Sequence, residues 1–224
     1  QAADAPDRQG ISEIRYVTGF LAYWDELRKR FPNMLIDTCA SGGRRIDIET
    51  LRRSVPLLRS DWLFEPESQQ QHTYGLASWV PYYGTGTREI DPYIFRSNMC
   101  PAMNTCWDMR RRDLDYDLGR RLISQWRAVA PYYSGDYYPL TGYHTGSDVW
   151  MAWQFDRSDL GEGMVQVFRR AGSAYETARF QLHGLVPEAT YEVRDLDAAA
   201  PTKFSGRELA ETGLPVSIKD RPRA

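Results

Sequence analysis

The sequence predicts an α/β fold followed by a smaller antiparallel β domain. Up to about residue 140, short apolar runs alternate with amphipathic helical segments, a pattern typical of a parallel sheet covered by helices. Beyond about residue 145, short segments alternate apolar with polar residues and are separated by turns, with no helical segment between them. That alternation favours antiparallel strands. We place the boundary between Pro139 and Ser147, which gives domains at 1–142 and 143–224.

The first predicted element is a long helix. Apolar side chains recur at helical spacing from Ile11 to Phe31, and Pro32 ends the helix. A second long helix is predicted over 114–130, where Pro131 ends it. Between these helices, a short helix is predicted at 48–54, and bounded apolar runs predict four strands at 34–38, 55–59, 77–83 and 93–99.

The second domain is predicted to consist of strands alone. Each predicted strand alternates apolar with polar residues and is bounded by turn-forming residues. The five strands are expected at 149–156, 164–169, 178–182, 191–195 and 215–218.

Composition excludes several classes of function. A net charge of −2 gives no electrostatic basis for binding nucleic acid or an anionic membrane surface. No apolar run approaches the roughly 18 residues of a membrane span. The first ten residues are polar, so we predict no signal peptide and favour a cytoplasmic protein.

Three cysteines, Cys39, Cys100 and Cys106, stand at spacings that fit no zinc template. We predict free, buried thiols, with a Cys100–Cys106 disulfide as the alternative. The three histidines are scattered along the chain, so we expect no metal site and no cofactor.

The residues that suggest chemistry are concentrated between Asp37 and Asp61. The string reads Cys39-x-Ser41-Gly42-Gly43-x-Arg45-x-Asp47, and Arg59-Ser60-Asp61 ends the predicted second strand. Adjacent glycines allow backbone to approach a ligand closely, although they also suit an ordinary turn. Asp61 occupies the strand end at which barrel enzymes hold catalytic groups. The alternative is a solvated carboxylate paired with Arg59.

Other residues in this region also have two interpretations. Cys39 is disfavoured as a nucleophile because no histidine lies near it in the sequence. Arg44 and Arg45 either bind a substrate hydroxyl or pair with Asp47. Trp79, just before a glycine-rich segment, either stacks on a sugar or packs in the core.

The complete string, with Asp61 fourteen residues after Asp47, resembles glycoside hydrolase family 36, the α-galactosidases or melibiases. The similarity continues more loosely through 72–75, 79–81 and the helix at 114–130, and into the β domain through 204–209. The resemblance implies the C-terminal half of a (β/α)₈ TIM barrel followed by a small β-sandwich. It also implies retaining hydrolysis of terminal α-galactosides. Asp61 would be the general acid/base, and the substrate-binding residues would be Cys39, Gly42, Gly43, Arg45, Arg59 and Trp79.

The sequence departs from the family pattern at two points. The usual second Asp after the acid/base is absent, because the segment reads Ser60-Asp61-Trp62-Leu63-Phe64-Glu65. Nothing in the chain matches the motif that carries the nucleophilic Asp on the fourth barrel strand. The resemblance therefore implies a C-terminal portion whose nucleophile lies upstream, and we expect this chain alone to be inactive.

Two alternative functions remain open. A non-catalytic carbohydrate-binding module would account for the β domain and for the seven Trp and fourteen Tyr residues. A glycosidase or transglycosylase of the same family that acts on α-N-acetylgalactosaminides is the second. The expected partner is an α-galactoside oligosaccharide or glycoconjugate, and the full-length protein could form a homo-oligomer.

Overall fold

The computed structural model describes residues 4–39 and 41–224. Residues 1–3 and Ala40, which belongs to the glycine-containing motif, lie outside the described residues. The chain divides between Asp61 and Trp62 into two compact units. We describe each unit by itself.

The first unit contains one long helix, α1 (Ile11–Arg30), which confirms the helix predicted from Ile11. A single-turn helix, α2 (Ile48–Leu51), lies within the predicted 48–54 segment. The carboxylate of Asp25 in α1 accepts hydrogen bonds from Arg53, at 2.8 and 2.9 Å. Because Arg53 also donates to Glu49 of α2, this arginine ties the two helices together.

The two strands predicted at 34–38 and 55–59 are shorter than expected. The parallel pairing consists of one bridge, Asp37 with Val55. Two backbone bonds support it, Thr38 N to the Val55 carbonyl and Val55 N to the Ile36 carbonyl, both 2.9 Å. The prediction of full strands was wrong, but the parallel direction of the two segments was right.

The second unit begins with alternating helices and strands. In chain order these are α3 (Pro66–Leu76), β1 (Gly84–Thr87), α4 (Pro92–Asn98), β2 (Ala102–Thr105) and α5 (Tyr116–Val129). Strands β1 and β2 pair in parallel, with Gly84 opposite Ala102. The parallel α/β pattern and the helix predicted at 114–130 are therefore confirmed here.

Two of the predicted strands in this region were wrong. Residues 77–83 leave the end of α3 and turn into β1, so the strand starts where the apolar run stops. Residues 93–99 lie almost entirely in α4, which begins with a proline and is capped by Asp91, whose Oδ1 accepts a hydrogen bond from Ile94 N at 2.8 Å. An Asp-Pro pair of this kind is a helix start signal, and it outweighs the apolar character of the segment.

The rest of the second unit is built from antiparallel strands. They are β3 (Asp136–Pro139), β4 (Trp150–Arg157), β5 (Glu162–Arg169), β6 (Thr177–Phe180), β7 (Thr190–Val193), β8 (Thr202–Ser205) and β9 (Leu214–Ser217). They form a three-stranded sheet in the order β3-β4-β5 and two pairs, β6–β9 and β7–β8. All five predicted strands are present. One short helix, α6 (Gly206–Glu211), interrupts them, so the expectation of no helix was wrong.

One hydrophobic core joins α4 and α5 to the three-stranded sheet. Its buried side chains include Leu122 of α5, Trp153 and Phe155 of β4, and Phe168 of β5. Tyr133 lies between them, with its ring 4.9 Å from that of Phe155. Because β3 pairs with β4, residues on both sides of the predicted 139–147 boundary share this sheet and this core.

The three cysteines are free thiols, as predicted. Cys100 is fully buried, and its thiol donates to the carbonyl of Ala102 at 3.0 Å. Cys39 and Cys106 are exposed, so the prediction of a buried thiol was correct only for Cys100. The alternative Cys100–Cys106 disulfide is not formed.

Candidate active site

The glycine turn of the motif lies directly against the backbone of Asp61. A Cβ atom placed on Gly42 would lie 2.8 Å from the amide nitrogen of Asp61 and 2.9 Å from the Cα of Ser60. Gly42 has a φ of +70° and a ψ of −134°, a conformation that side-chain-bearing residues rarely adopt. The two halves of the sequence motif are therefore in contact, and Gly42 is the residue that permits it.

Gly43 continues this close approach. Its Cβ would lie 3.1 Å from the carbonyl oxygen of Arg59. Ser41, just before the glycines, has a φ of +56°, the one positive φ among the non-glycine residues that the structure describes. Backbone strain of this kind persists where surrounding structure imposes it and is common at functional sites.

The side chain of Asp61 is exposed, whereas Arg59 is 1% exposed. A carboxyl group on a short, backbone-anchored segment that faces solvent can exchange protons with a bound molecule. Cys39 is also exposed. The first unit contains these candidate residues together with the two glycines of the turn: Cys39, Gly42, Gly43, Arg59 and Asp61.

Two further motif residues have structural partners. The guanidinium carbon of Arg45 lies 4.8 Å from the ring centroid of Phe20 in α1, a cation–π contact. The Oδ1 of Asp47 accepts a hydrogen bond from Thr50 N at 2.9 Å and its Oδ2 accepts one from Thr50 Oγ1 at 2.8 Å. Asp47 is therefore the N-cap of α2, which explains its place in the motif without a role in binding.

Asp37, at the start of the motif, holds the paired segments in register. Its Oδ1 accepts a hydrogen bond from the amide nitrogen of Leu57 at 3.0 Å. The segment that ends in Asp61 is therefore held by the hydrogen bond to Asp37 and by its contact with the glycine turn.

Trp79, the predicted sugar-stacking residue, lies in the second unit. Its side chain is 51% exposed, and its amide nitrogen donates to the carbonyl of Leu76 at the end of α3. The alternative of a core-packed Trp79 does not hold at this exposure.

Sequence reasoning missed a second group of exposed aromatic residues. Trp62 and Phe64 are 51% and 49% exposed, and their ring centroids are 4.7 Å apart. Gln69, which is fully buried, donates from Nε2 to the carbonyl of Trp62 at 2.6 Å. Two aromatic residues immediately after a candidate acid are the sequence signal that could have identified this group.

Within the described ranges 4–39 and 41–224, no cluster of three or more His, Cys, Asp or Glu side chains could hold a metal ion. The same residues include no helix that is long and apolar enough to span a membrane.

Two buried ionisable groups stand out in the second unit. Asp156 is 6% exposed, and burial raises the pKa of its carboxyl group, with further contributions from Asp136 and Asp159. Burial also raises the pKa of Tyr93 to about 12. Asp156 lies in β4 and Tyr93 lies in α4, so neither residue belongs to the glycine turn.

The chain is similar to known glycosidases. Residues 150–221 match the glycosyl hydrolase family 36 C-terminal domain. The curated α-galactosidase AgaA of Geobacillus stearothermophilus is 23% identical over 93% of this chain and 30% of its own length. The α-galactosidase of Escherichia coli is 26% identical over 98% of this chain and 34% of its own length.

Solved structures show the same fold. The G. stearothermophilus family 36 α-galactosidase AgaA, solved in complex with raffinose, aligns with a TM-score of 0.80 at 21% identity, covering 99% of this chain and 32% of that one. The α-galactosidase of Lactobacillus brevis aligns with a TM-score of 0.78 at 17% identity, covering 97% and 31%.

The resemblance to glycoside hydrolase family 36 that the motif predicted is therefore confirmed, and residues 150–221 correspond to the family's C-terminal domain. The chain spans about a third of the length of the curated relatives that it matches.

Proposed function

We propose that this chain is the C-terminal portion of a retaining α-galactosidase and that Asp61 is its general acid/base. The observation that carries the proposal is the contact between the glycine turn and Asp61. A Cβ atom placed on Gly42 would lie 2.8 Å from the Asp61 amide nitrogen. That contact fixes the backbone of an exposed carboxylate, as an acid that must reach one bond requires. The similarity to α-galactosidases supports the substrate class.

The proposed reaction needs a second carboxylate. An Asp on a strand upstream of this chain attacks the anomeric carbon while Asp61 donates its proton to the glycosidic oxygen, so the leaving group departs as an alcohol. In the second step, Asp61 takes a proton from water, which attacks the galactosyl–enzyme ester and releases galactose with retained configuration. Each carboxylate returns to its starting state. Without the upstream Asp, this chain alone has no nucleophile and is expected to be inactive.

The first unit supplies the proposed galactose-binding groups. Gly42 and Gly43 bring backbone close to the sugar, and Cys39, Arg45 and Arg59 contribute polar side chains. The guanidinium carbon of Arg45 lies over the ring of Phe20, and the guanidinium N–H groups are donors for sugar hydroxyl oxygens. Trp79 is proposed as a sugar-stacking residue of the second unit.

The proposed architecture follows from the same reasoning. The parallel bridge of Asp37 with Val55 and the parallel pair β1–β2 are the pairings that a (β/α)₈ barrel contains. We propose that they contribute to the C-terminal half of such a barrel and that the antiparallel strands form a β-sandwich domain after it. The proposed substrates are α-galactoside oligosaccharides, the class to which raffinose and stachyose belong, both of which occur in solved complexes of relatives.

The test compares two substrates in the full-length protein that carries this chain. Asp61→Asn is expected to lower kcat/KM for raffinose about 10²–10⁴-fold, because a sugar leaving group needs the proton. For α-galactosyl fluoride, kcat/KM should change little, because fluoride leaves unprotonated, while kcat falls because deglycosylation still needs the base.

The matched control is Asp7→Asn, another exposed carboxylate of the first unit, which should leave both substrates unaffected. Equal loss of kcat/KM on both substrates in Asp61→Asn, or no loss on either, would contradict the proposed role.

A further inference from the structure

We propose that Asp37 is a positioning residue for Asp61, the acid/base of the proposed reaction. The carboxylate of Asp37 holds the chain at Leu57, the first residue of a short segment, 57–61, that ends in Asp61. This inference rests on the proposed function, because it takes Asp61 as the group that protonates the glycosidic oxygen. All of the residues involved belong to the first unit.

The main-chain pairing beside this segment is short. In the described part of the chain it consists of one parallel bridge, Asp37 with Val55. Its two bonds run from Thr38 N to the Val55 carbonyl and from Val55 N to the Ile36 carbonyl, both 2.9 Å. In a parallel ladder that continued, the next donor, Leu57 N, would bond to the carbonyl of Thr38.

The acceptor for Leu57 N is instead the side chain of Asp37. Its Oδ1 accepts the hydrogen bond at 3.0 Å. A bond from an N–H group to a carboxylate is charge-assisted and stronger than one to a neutral carbonyl. The chain is therefore anchored at Leu57 where the main-chain ladder has ended, and the segment that follows Asp37 can turn away towards the two glycines.

A second contact lies at the other end of the segment. A Cβ atom on Gly42 would lie 2.8 Å from the Asp61 amide nitrogen and 2.9 Å from the Ser60 Cα. The Cα atoms of Leu57 and Asp61 are four residues apart, a distance of at most about 14 Å. A segment this short has little freedom to shift when both ends are held, and loss of one contact frees that end.

The position of Asp61 matters to the proposed proton transfer. A general acid must lie within hydrogen-bond reach of the oxygen that it protonates, and a displacement of about 1 Å can lower the rate about 10²-fold. Asp37 is exposed, so its hydrogen bond competes with water and adds little to the free energy of unfolding. Loss of this bond is therefore expected to impair proton donation more than folding.

The experiment compares raffinose with α-galactosyl fluoride in the full-length protein that carries this chain. Asp37→Ala is expected to lower kcat/KM for raffinose about 10–100-fold, because the acid is displaced. For the fluoride, kcat/KM should change by less than about twofold, because fluoride leaves unprotonated. Asp37→Asn keeps an oxygen acceptor for Leu57 N and should stay within about fivefold of the wild type on raffinose.

A double variant separates positioning from other roles of Asp37. Once Asp61→Asn has removed the acid, Asp37 has no acid to position. Adding Asp37→Ala to Asp61→Asn should therefore change kcat/KM for raffinose by less than about twofold.

Asp25→Ala is the matched control. Asp25 is another exposed carboxylate of the first unit, and it accepts its hydrogen bonds from Arg53 rather than from residues 57–61. This variant should leave both substrates unaffected.

Equal losses on raffinose and the fluoride in Asp37→Ala, or unchanged raffinose activity, would overturn the inference. So would an Asp37→Asn variant as impaired as Asp37→Ala, or additive losses in the double variant, because each would show that Asp37 acts other than through Asp61. A selective raffinose loss in Asp61→Asn without one in Asp37→Ala would overturn this inference alone. If Asp61→Asn itself does not distinguish the two substrates, the proposed function fails, and this inference with it.

Discussion

At the residue scale, Gly42 combines a positive φ with contact to the backbone of Ser60 and Asp61. The sequence predicted that the adjacent glycines either form an ordinary turn or allow a close approach. Gly42 forms a turn and also allows a close approach, because the turn contacts the chain at Ser60 and Asp61. The partner in that approach is the backbone next to Asp61, which a sequence pattern cannot specify.

Gly42→Ala is expected to destabilise the first unit by about 3 kcal/mol, since a side chain here is strained in φ and meets backbone atoms that cannot rotate away. Gly19→Ala provides the control. Gly19 lies within α1 and a Cβ there meets nothing within 4 Å, so alanine should stabilise the unit by about 0.5–1 kcal/mol. Urea unfolding of both variants measures the difference. Equal effects at the two positions would contradict the close approach of the turn to Asp61.

Asp156 is a second residue whose setting the sequence did not reveal. It is 6% exposed, and its Oδ2 has no hydrogen-bond partner within residues 4–39 and 41–224. Burial raises the pKa of this carboxyl group, and the charges of Asp136 and Asp159 raise it further. Because the folded protein holds this proton more tightly than the unfolded chain, stability falls as pH rises through the interval between the two pKa values.

Asp156→Asn is therefore expected to raise the melting temperature at pH 7, because asparagine has no ionisable carboxyl group for burial to destabilise. The gain should shrink as pH falls through the raised pKa and vanish below about pH 4, the ordinary range of an Asp side chain. Asp117→Asn should give no gain, because the Asp117 carboxylate is exposed and pairs with Arg120. Melting curves at pH 7 and below about pH 4 measure the gain in melting temperature. A gain that is as large below about pH 4 as at pH 7 would contradict the account.

At the scale of elements, helices with an apolar stripe were predicted well and buried strands poorly. Helices α1 and α5 have clear periodicity and a proline after the C-terminus. Strand β1 reads Gly-Thr-Gly-Thr yet is fully buried along its length. Its threonine hydroxyls are paired inside, Thr85 with Gln69 and Thr87 with the Glu89 carbonyl, so no apolar run marks it.

Helix α3 was not predicted from the sequence, and the reason is related. Its buried side chains are polar, namely Gln69, Gln70 and Thr73. An apolar stripe is the usual sign of a buried helix face, and here hydrogen bonds replace it. The signals that remain are Pro66 at the first helical position and Glu67 in the first turn.

These polar side chains join α3 to its neighbours through Arg170, which is fully buried. Arg170 donates from Nε to Gln70 Oε1 at 2.9 Å and from Nη1 to the carbonyls of His144 and Gly146, at 2.9 and 2.7 Å. Gln70 in turn donates to the hydroxyls of Tyr93 and Ser97 in α4. One network therefore connects α3, α4 and the segment before β4.

Arg170→Leu is expected to destabilise the second unit by about 3 kcal/mol, because the buried amide oxygen of Gln70 and the partly buried carbonyls of His144 and Gly146 lose their donor. Arg194→Leu is the control, since Arg194 is exposed and pairs only weakly with Glu192 at 3.5 Å; its effect should stay within about 0.5 kcal/mol. Chemical denaturation measures both. A loss below about 1 kcal/mol for Arg170→Leu would show that the network does not join these elements.

At the scale of the whole molecule, the sequence predicted the resemblance to family 36 and the change along the chain from α/β to antiparallel structure. The motif at 39–61 pointed to family 36, and the match at 150–221 agrees with it. The shared core of α4, α5, β4 and β5 was not foreseen, because contacts between distant segments leave no local pattern. The chain divides into its two compact units between Asp61 and Trp62.

The measurement that tests the central claim most directly is azide rescue of Asp61→Ala in the full-length protein that carries this chain. Azide needs no general base, so it should attack the galactosyl–enzyme ester that accumulates from an activated aryl α-galactoside and restore turnover. The account predicts α-galactosyl azide as the product, identified by its anomeric proton, because two inversions give retention. Formation of β-galactosyl azide would make Asp61 the nucleophile, and full activity without azide would remove it from the mechanism; either result would contradict the account.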